Sequence, residues 1–227
     1  MQFHDLSARV AEVRERVTAA ASRGGHGQRV TIVAVTKSHG FEAPRAAWEA
    51  GLRDVGENRV QEAVEKMPAV ELPLRWHLIG HLQRNKVKYL DRFVMLHSLD
   101  SARLAEAVSE WAANAGRTVS ALVQVNVSGE GTKGGYAPAE LEREAARLRA
   151  LPGLRVDGVM TMAPFDADER TLRAVFSGAR AARETLAAAG HPAAELSMGM
   201  SNDYEVAVEE GATLVRLGTV LFGARDA

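Results

Sequence analysis

The run Val30-Thr31-Ile32-Val33-Ala34-Val35-Thr36-Lys37 is short, apolar and β-branched, with Gly27 before it and Gly40 after it, so it reads as a buried strand. It ends on a lysine. An amine at the point where a buried strand emerges is either a solvated cap or, if held partly out of water, a nucleophile able to form a Schiff base with an aldehyde. A second chemical cluster lies far along the chain, in Ser197-Met198-Gly199-Met200-Ser201-Asn202 and Leu214-Val215-Arg216-Leu217-Gly218-Thr219. Ser201 stands at an expected helix start, where a hydroxyl and unpaired backbone N–H groups converge on one spot. Gly218-Thr219 adds a glycine-opened turn with a hydroxyl donor beside accessible amides. Arg216 sits inside a strand that should be mostly buried, so its guanidinium needs an acceptor, from a barrel carboxylate or from a ligand.

The elements that must position these groups follow from periodicity. Residues 3–23 read as an amphipathic helix carrying Leu6, Val10, Val13 and Val17, stopped at Gly24-Gly25. After the Val30 strand, strands are expected near 54–56, 76–80, 94–98, 119–127, 154–161, 195–197 and 213–217. Helices are expected between them: around 42–50, from Asn58 to just before Pro68, over 83–91, after Asp100 as a cap, from Pro138, after an Asp166/Glu169 capping box, and after Ser201. Eight strands alternating with helices leave an open doubly wound sheet or a closed (β/α)8 TIM barrel. The length favours the barrel, as one domain over residues 1–227, with the extra N-terminal helix in the slot a closing helix normally takes. In such a barrel, chemistry gathers at the C-terminal strand ends, and phosphate sites favour the loops after strands seven and eight.

The totals exclude several classes. The 227 residues are 46% hydrophobic and 25% charged with net charge −1, which gives no electrostatic case for nucleic acid or an anionic membrane. Cysteine is absent, so disulfides, thiol nucleophiles and thiolate metal sites are excluded. No run approaches the roughly 18 apolar residues of a membrane span, and no signal-type apolar core opens the chain, so a cytoplasmic protein is expected. The letters Gly129-x-Gly131-x-x-Gly134 match a dinucleotide pattern without the helix that must follow at once, and Lys133 within them reads as a solvated lysine. His77 and His81 are four apart without an evident third ligand, so a metal site is not expected.

A lysine on the first strand, an anion cradle after the last two and an arginine between them describe a pocket for pyridoxal 5′-phosphate. The sequence resembles the pyridoxal phosphate homeostasis family, PLP-binding proteins that share the fold-type III barrel of the alanine racemase N-terminal domain. The resemblance is carried by Ala34-Val35-Thr36-Lys37, Gly56-Glu57-Asn58-Arg59-Val60-Gln61-Glu62, Trp76 through Lys86, His97-Ser98, Gln124 through Val127, Leu196 through Ser201, and Val215 through Thr219 with Phe222 through Arg225. It implies that Lys37 forms the Schiff base, that Ser201, Gly218 and Thr219 hold the phosphate, that Arg216 faces the ring nitrogen, and that Asn58 and Met200 line the ring, with His77 a weaker member of the site. It implies a cofactor holder in vitamin B6 homeostasis, with PLP-dependent apo-enzymes as recipients and no catalytic residues; the oligomeric state is not readable from the sequence, and a monomer or weak dimer fits. The alternative is a low-activity PLP-dependent amino acid racemase. That reading needs a second base, and Tyr89, Tyr136 and Tyr204 match no such position. The segment Ser38-His39-Gly40 departs from the commoner family pattern, which often has a proline there.

Overall fold

A computed structural model describes residue 3, residues 5–131 and residues 134–223. Among these, eight parallel strands close into a barrel in chain order: β1 Thr31–Val35, β2 Asp54–Glu57, β3 Arg75–Leu78, β4 Met95–Leu99, β5 Val119–Gln124, β6 Leu154–Met160, β7 Glu195–Ser197 and β8 Leu214–Leu217. The seam is made by β8 pairing with β1, which sets Arg216 beside Val33. The helices are α1 Leu6–Gly24, α2 Glu42–Glu49, α3 Val60–Val70, α4 Ala102–Asn114, α5 Pro138–Ala150, α6 Glu169–Ala188, α7 Tyr204–Glu209 and α8 Thr219–Phe222, with a 3-10 helix over Arg84–Arg92 after β3. The expected (β/α)8 barrel is the observed one. No helix among the described residues is long and apolar enough to cross a membrane.

The first helix fills the slot expected of it. Its stripe of Leu6, Val10, Val13, Val17 and Ala20 is buried against α7, α8 and α2. Gly25 ends it in the left-handed conformation (φ 68°), donating its N–H to the Ala21 carbonyl. Arg9 donates to the carbonyl of Leu221, and Arg23 pairs with Glu209 at 2.6 Å, so the opening helix is tied to the two closing ones.

Several boundaries differ from the sequence expectation, each for a local reason. Helix α3 runs through Pro68 to Val70, where Glu71 in the left-handed region, not the proline, ends it. Ser101, not Asp100, caps α4, because Asp100 is engaged by His81. Asp168, not Asp166, caps α6 by accepting from Thr171 N–H at 2.8 Å. Strand β5 stops at Gln124, where Tyr136 folds back to pair with Gln124 and Val125. The glycine loop between them leads to α5 only at Pro138. Lys133 lies outside the described residues, as do Ala224 and Arg225.

Candidate cofactor site

At the C-terminal ends of the strands lies a cavity of about 740 Å³. Its wall includes Lys37, Asn58, Met200, Ser201, Arg216, Gly218 and Thr219. The structure thus brings seven of the eight residues singled out in the sequence to one cavity. His77 does not reach it. That ring is buried lower in the barrel, with both nitrogens engaged by Asp54 and His97. The cavity's far side carries His81, exposed and joined to Asp100 at 2.8 Å, with Gln124 and Gly134. Among the described residues no group of three or more histidines and carboxylates is arranged to hold a metal ion.

Lys37 follows β1 by two residues, on a turn that continues through Ser38 at φ 63°. This turn rests on a buried charged cluster that sequence reading missed. Lys66 Nζ donates to the Thr36 carbonyl at 2.8 Å, to Glu57 Oε1 at 2.9 Å and to Glu62 Oε1 at 2.6 Å. Thr36 Oγ1 donates to Glu57 Oε1, and the Ser38 N–H donates to Glu62 Oε1, both at 2.6 Å. The residues on either side of Lys37 are therefore pinned by one ammonium and two carboxylates. Glu57 is fully buried, its Oε2 meets no donor, and burial pushes its carboxyl up, partly offset by Thr36 and Lys66. The available signal was Lys66 itself, a cation three residues after Ala63 on the inward face of α3.

The loops after β7 and β8 meet as the anion-cradle reading requires. Ser201 is not the cap of α7, which begins at Tyr204; its Oγ instead accepts from the Val220 N–H at 3.2 Å, across to the turn after β8. This sets Ser201 beside Gly218 and Thr219. Asp203 braces the first loop by accepting from the Met200 N–H at 2.5 Å, and burial raises its carboxyl. Arg216 is buried at the cavity floor and donates to Ser197 Oγ at 2.7 Å and to the Thr161 carbonyl at 2.9 Å. Neither acceptor is charged. Burial lowers this guanidinium to about 10, with Asp203 opposing only through space. A buried cation without a bonded carboxylate favours a ligand that supplies an acceptor.

Gly80 fixes the opposite wall. A Cβ there would lie 2.4 Å from the Asn58 carbonyl oxygen and 2.7 Å from Asn58 Cα, both backbone atoms. Gly80→Ala must therefore displace Asn58, and its expected cost is about 1–3 kcal/mol in urea unfolding. An unchanged unfolding midpoint would mean the two loops are not packed this closely.

The profile of the family described as alanine racemase, N-terminal domain, matches residues 9–226. The chain therefore belongs to that class of barrels. At finer resolution it belongs to the pyridoxal phosphate homeostasis protein family. The member from Aquifex aeolicus (strain VF5) is 42% identical over 96% of this chain and 97% of its own length. PipY of Synechococcus elongatus PCC7942 is similar in structure. Without PLP it gives a TM-score of 0.87 at 38% identity, over 96% of this chain and 100% of its own. With PLP bound it gives 0.85 at 37% identity, over the same shares.

Proposed function

We propose that this protein binds pyridoxal 5′-phosphate covalently through Lys37 and serves as a carrier in PLP homeostasis rather than as an enzyme. The observation that carries this reading is a single cavity bearing the Lys37 amine and the buried Arg216 guanidinium, between them the joined loops of Ser201 and Gly218-Thr219. The residues fit the group. Arg216, with only neutral hydrogen-bond acceptors, suits a ring nitrogen, and the Ser201 cradle suits a phosphate. When bound, the cofactor supplies an aldehyde that condenses with a primary amine and a ring that can accept electrons.

The chain's own groups decide how much of that chemistry is expressed. Lys37 is the condensing amine, on a turn held rigid from both sides. Ser201, Gly218 and Thr219 bind the phosphate, while Asn58 and Met200 line the ring. Arg216 only donates, so it withholds a proton from the ring nitrogen and weakens the electron sink that carbanion chemistry needs. None of Tyr89, Tyr136 and Tyr204 lines the cavity, so no tyrosine supplies a second base there. Cofactor held this way is kept for transfer to apo-enzymes that use it.

The test incubates the loaded protein with L- and D-amino acids in deuterated water. A carrier shows no sustained exchange at the α-carbon; exchange at enzyme-like rates would make the protein a racemase or a related enzyme.

A further inference from the structure

Interiors of such barrels are ordinarily filled by branched apolar side chains. Here Val33, Leu122, Met160 and Leu214 do this on part of the cross-section. A file of buried polar groups crosses the rest. Asp54 on β2 meets His77 Nε2 at 2.9 Å, and His77 Nδ1 meets His97 Nε2 at 2.9 Å. His97 Nδ1 then meets Ser197 Oγ on β7 at 2.8 Å, and Ser197 Oγ accepts from Arg216 at 2.7 Å. At its outer end Asp54 also accepts from Arg75 at 2.6 Å, whose side chain is largely exposed.

The chemistry of the ends, with one proton on each imidazole, sets the direction of every bond between them. Burial works against ionisation of Asp54, but hydrogen bonds from His77 and Arg75 outweigh it and hold the carboxyl below its usual range. As a carboxylate it only accepts, so His77 Nε2 carries a proton. Burial, above all, keeps His97 well below the usual imidazole range, so this ring is neutral. With a single proton on each ring, one pattern satisfies each atom: Ser197 donates to His97 Nδ1, His97 Nε2 donates to His77 Nδ1, and His77 Nε2 donates to Asp54. Ser197's hydroxyl proton is committed away from Arg216, which leaves its oxygen facing the guanidinium as a pure acceptor. The reverse orientation would need either Asp54 protonated, against its two donors, or a second proton on His77.

We propose that His77 and His97 are positioning residues: with Asp54 and Ser197 they form a one-way hydrogen-bond file that presents Ser197 as an acceptor to Arg216 and so aims the guanidinium at the cofactor ring nitrogen. This inference rests on the cofactor reading above for its last contact, and on the protein alone for the rest. A merely apolar filling would hold Arg216 by Thr161 alone, leaving one fork of the guanidinium buried without an acceptor. Both histidines therefore act through Arg216 and touch no ligand.

The file is tested in two arms. In the cofactor-free chain, nitrogen-15 NMR of labelled histidine should show His77 and His97 neutral at neutral pH, each with its proton on Nε2. A proton on Nδ1 of either ring, or a doubly protonated ring, overturns the file whatever the protein binds. The second arm compares pyridoxal 5′-phosphate with its analogue carrying carbon in place of the ring nitrogen. His97→Phe should weaken the natural cofactor by about tenfold and leave the analogue unchanged. His97→Gln, whose amide can both accept from Ser197 and donate to His77, should restore most of the loss and covers the case in which the Phe variant does not fold. Equal weakening of both ligands overturns the positioning role. Wild-type protein that binds neither ligand overturns the cofactor reading instead, and the NMR arm still decides the file.

Discussion

Lys37→Ala should abolish covalent capture of pyridoxal 5′-phosphate: after borohydride reduction, intact-mass analysis should find the added cofactor on wild-type protein and none on the variant. The expectation is all-or-none because, among the described residues, no other lysine lines the cavity. Lys66 is the nearest rival in burial, with its side chain only 8% exposed. Its ammonium is already shared among the Thr36 carbonyl, Glu57 and Glu62, so all three donors are spent and no lone pair is offered. Lys37, by contrast, lines the cavity. As a half-buried side chain on a turn, its truncation should change unfolding free energy by no more than about 0.5 kcal/mol, so loss of capture cannot be a loss of fold. Undiminished capture in Lys37→Ala, mapped to another lysine, would remove the basis of the carrier reading.

Lys66→Met should be the most destabilising single change near the site, by about 3–5 kcal/mol at neutral pH. Its methionine fills similar volume but leaves the fully buried Glu57 carboxylate without its cation. The deficit should depend on pH in a defined direction. Burial already raises the Glu57 carboxyl above its unfolded value, with Thr36 and Lys66 restraining the rise. A raised folded value means the protonated form favours the fold, and that contribution is lost as pH climbs through the folded value. Removing Lys66 raises that value further, so the deficit is deepest at neutral pH and shallower in mild acid, where Glu57 takes up a proton. Urea unfolding at both pH values reads this directly. The paired variant Lys66→Met/Glu57→Gln should recover much of the loss, since replacing both partners removes the stranded charge. A deficit independent of pH would mean that lost packing, not a stranded carboxylate, is the cause. Capture at Lys37 should also slow in Lys66→Met, because the Thr36 carbonyl loses its anchor.

The barrel was legible because its strands are short apolar runs and its helices keep their stripes; α1, with Leu6 through Val17 inward, is the clearest case. Lys37, Arg216 and the Ser201 and Gly218-Thr219 loops were legible because each breaks the local pattern: a charge ending or interrupting a buried strand, a hydroxyl beside a glycine turn. What stayed hidden were pairings across the interior. Nothing in the letters says that His97 on β4 reaches Ser197 on β7, since that contact spans the barrel and depends on stagger rather than spacing. His77 was expected at the cofactor only as a weaker implication of the family resemblance; its height in the barrel, set by register with Gly56 and Met95, keeps it off the cavity wall. The Lys66 cluster was missed because a cation on a helix face ordinarily reads as solvated, and only its place in the Val60, Ala63, Val70 row marks it as inward. Cap residues slipped by one or two positions where a better-placed oxygen, Ser101 or Asp168, was available nearby.

The docking of α1 against α7 and α8 also bears on how the protein is made. Ribosomes emit the first helix long before the last two, so its oily stripe has no berth while most of the ring is being synthesised. The seam between β1 and β8 is equally late, and contacts so distant in sequence make for slow closure. The loops bearing Ser201 and Thr219 belong to that final stage. Nascent chains should thus be unable to take up vitamin until the segment bearing Thr219 has left the tunnel, and fragments stalled before it should be clients for chaperones.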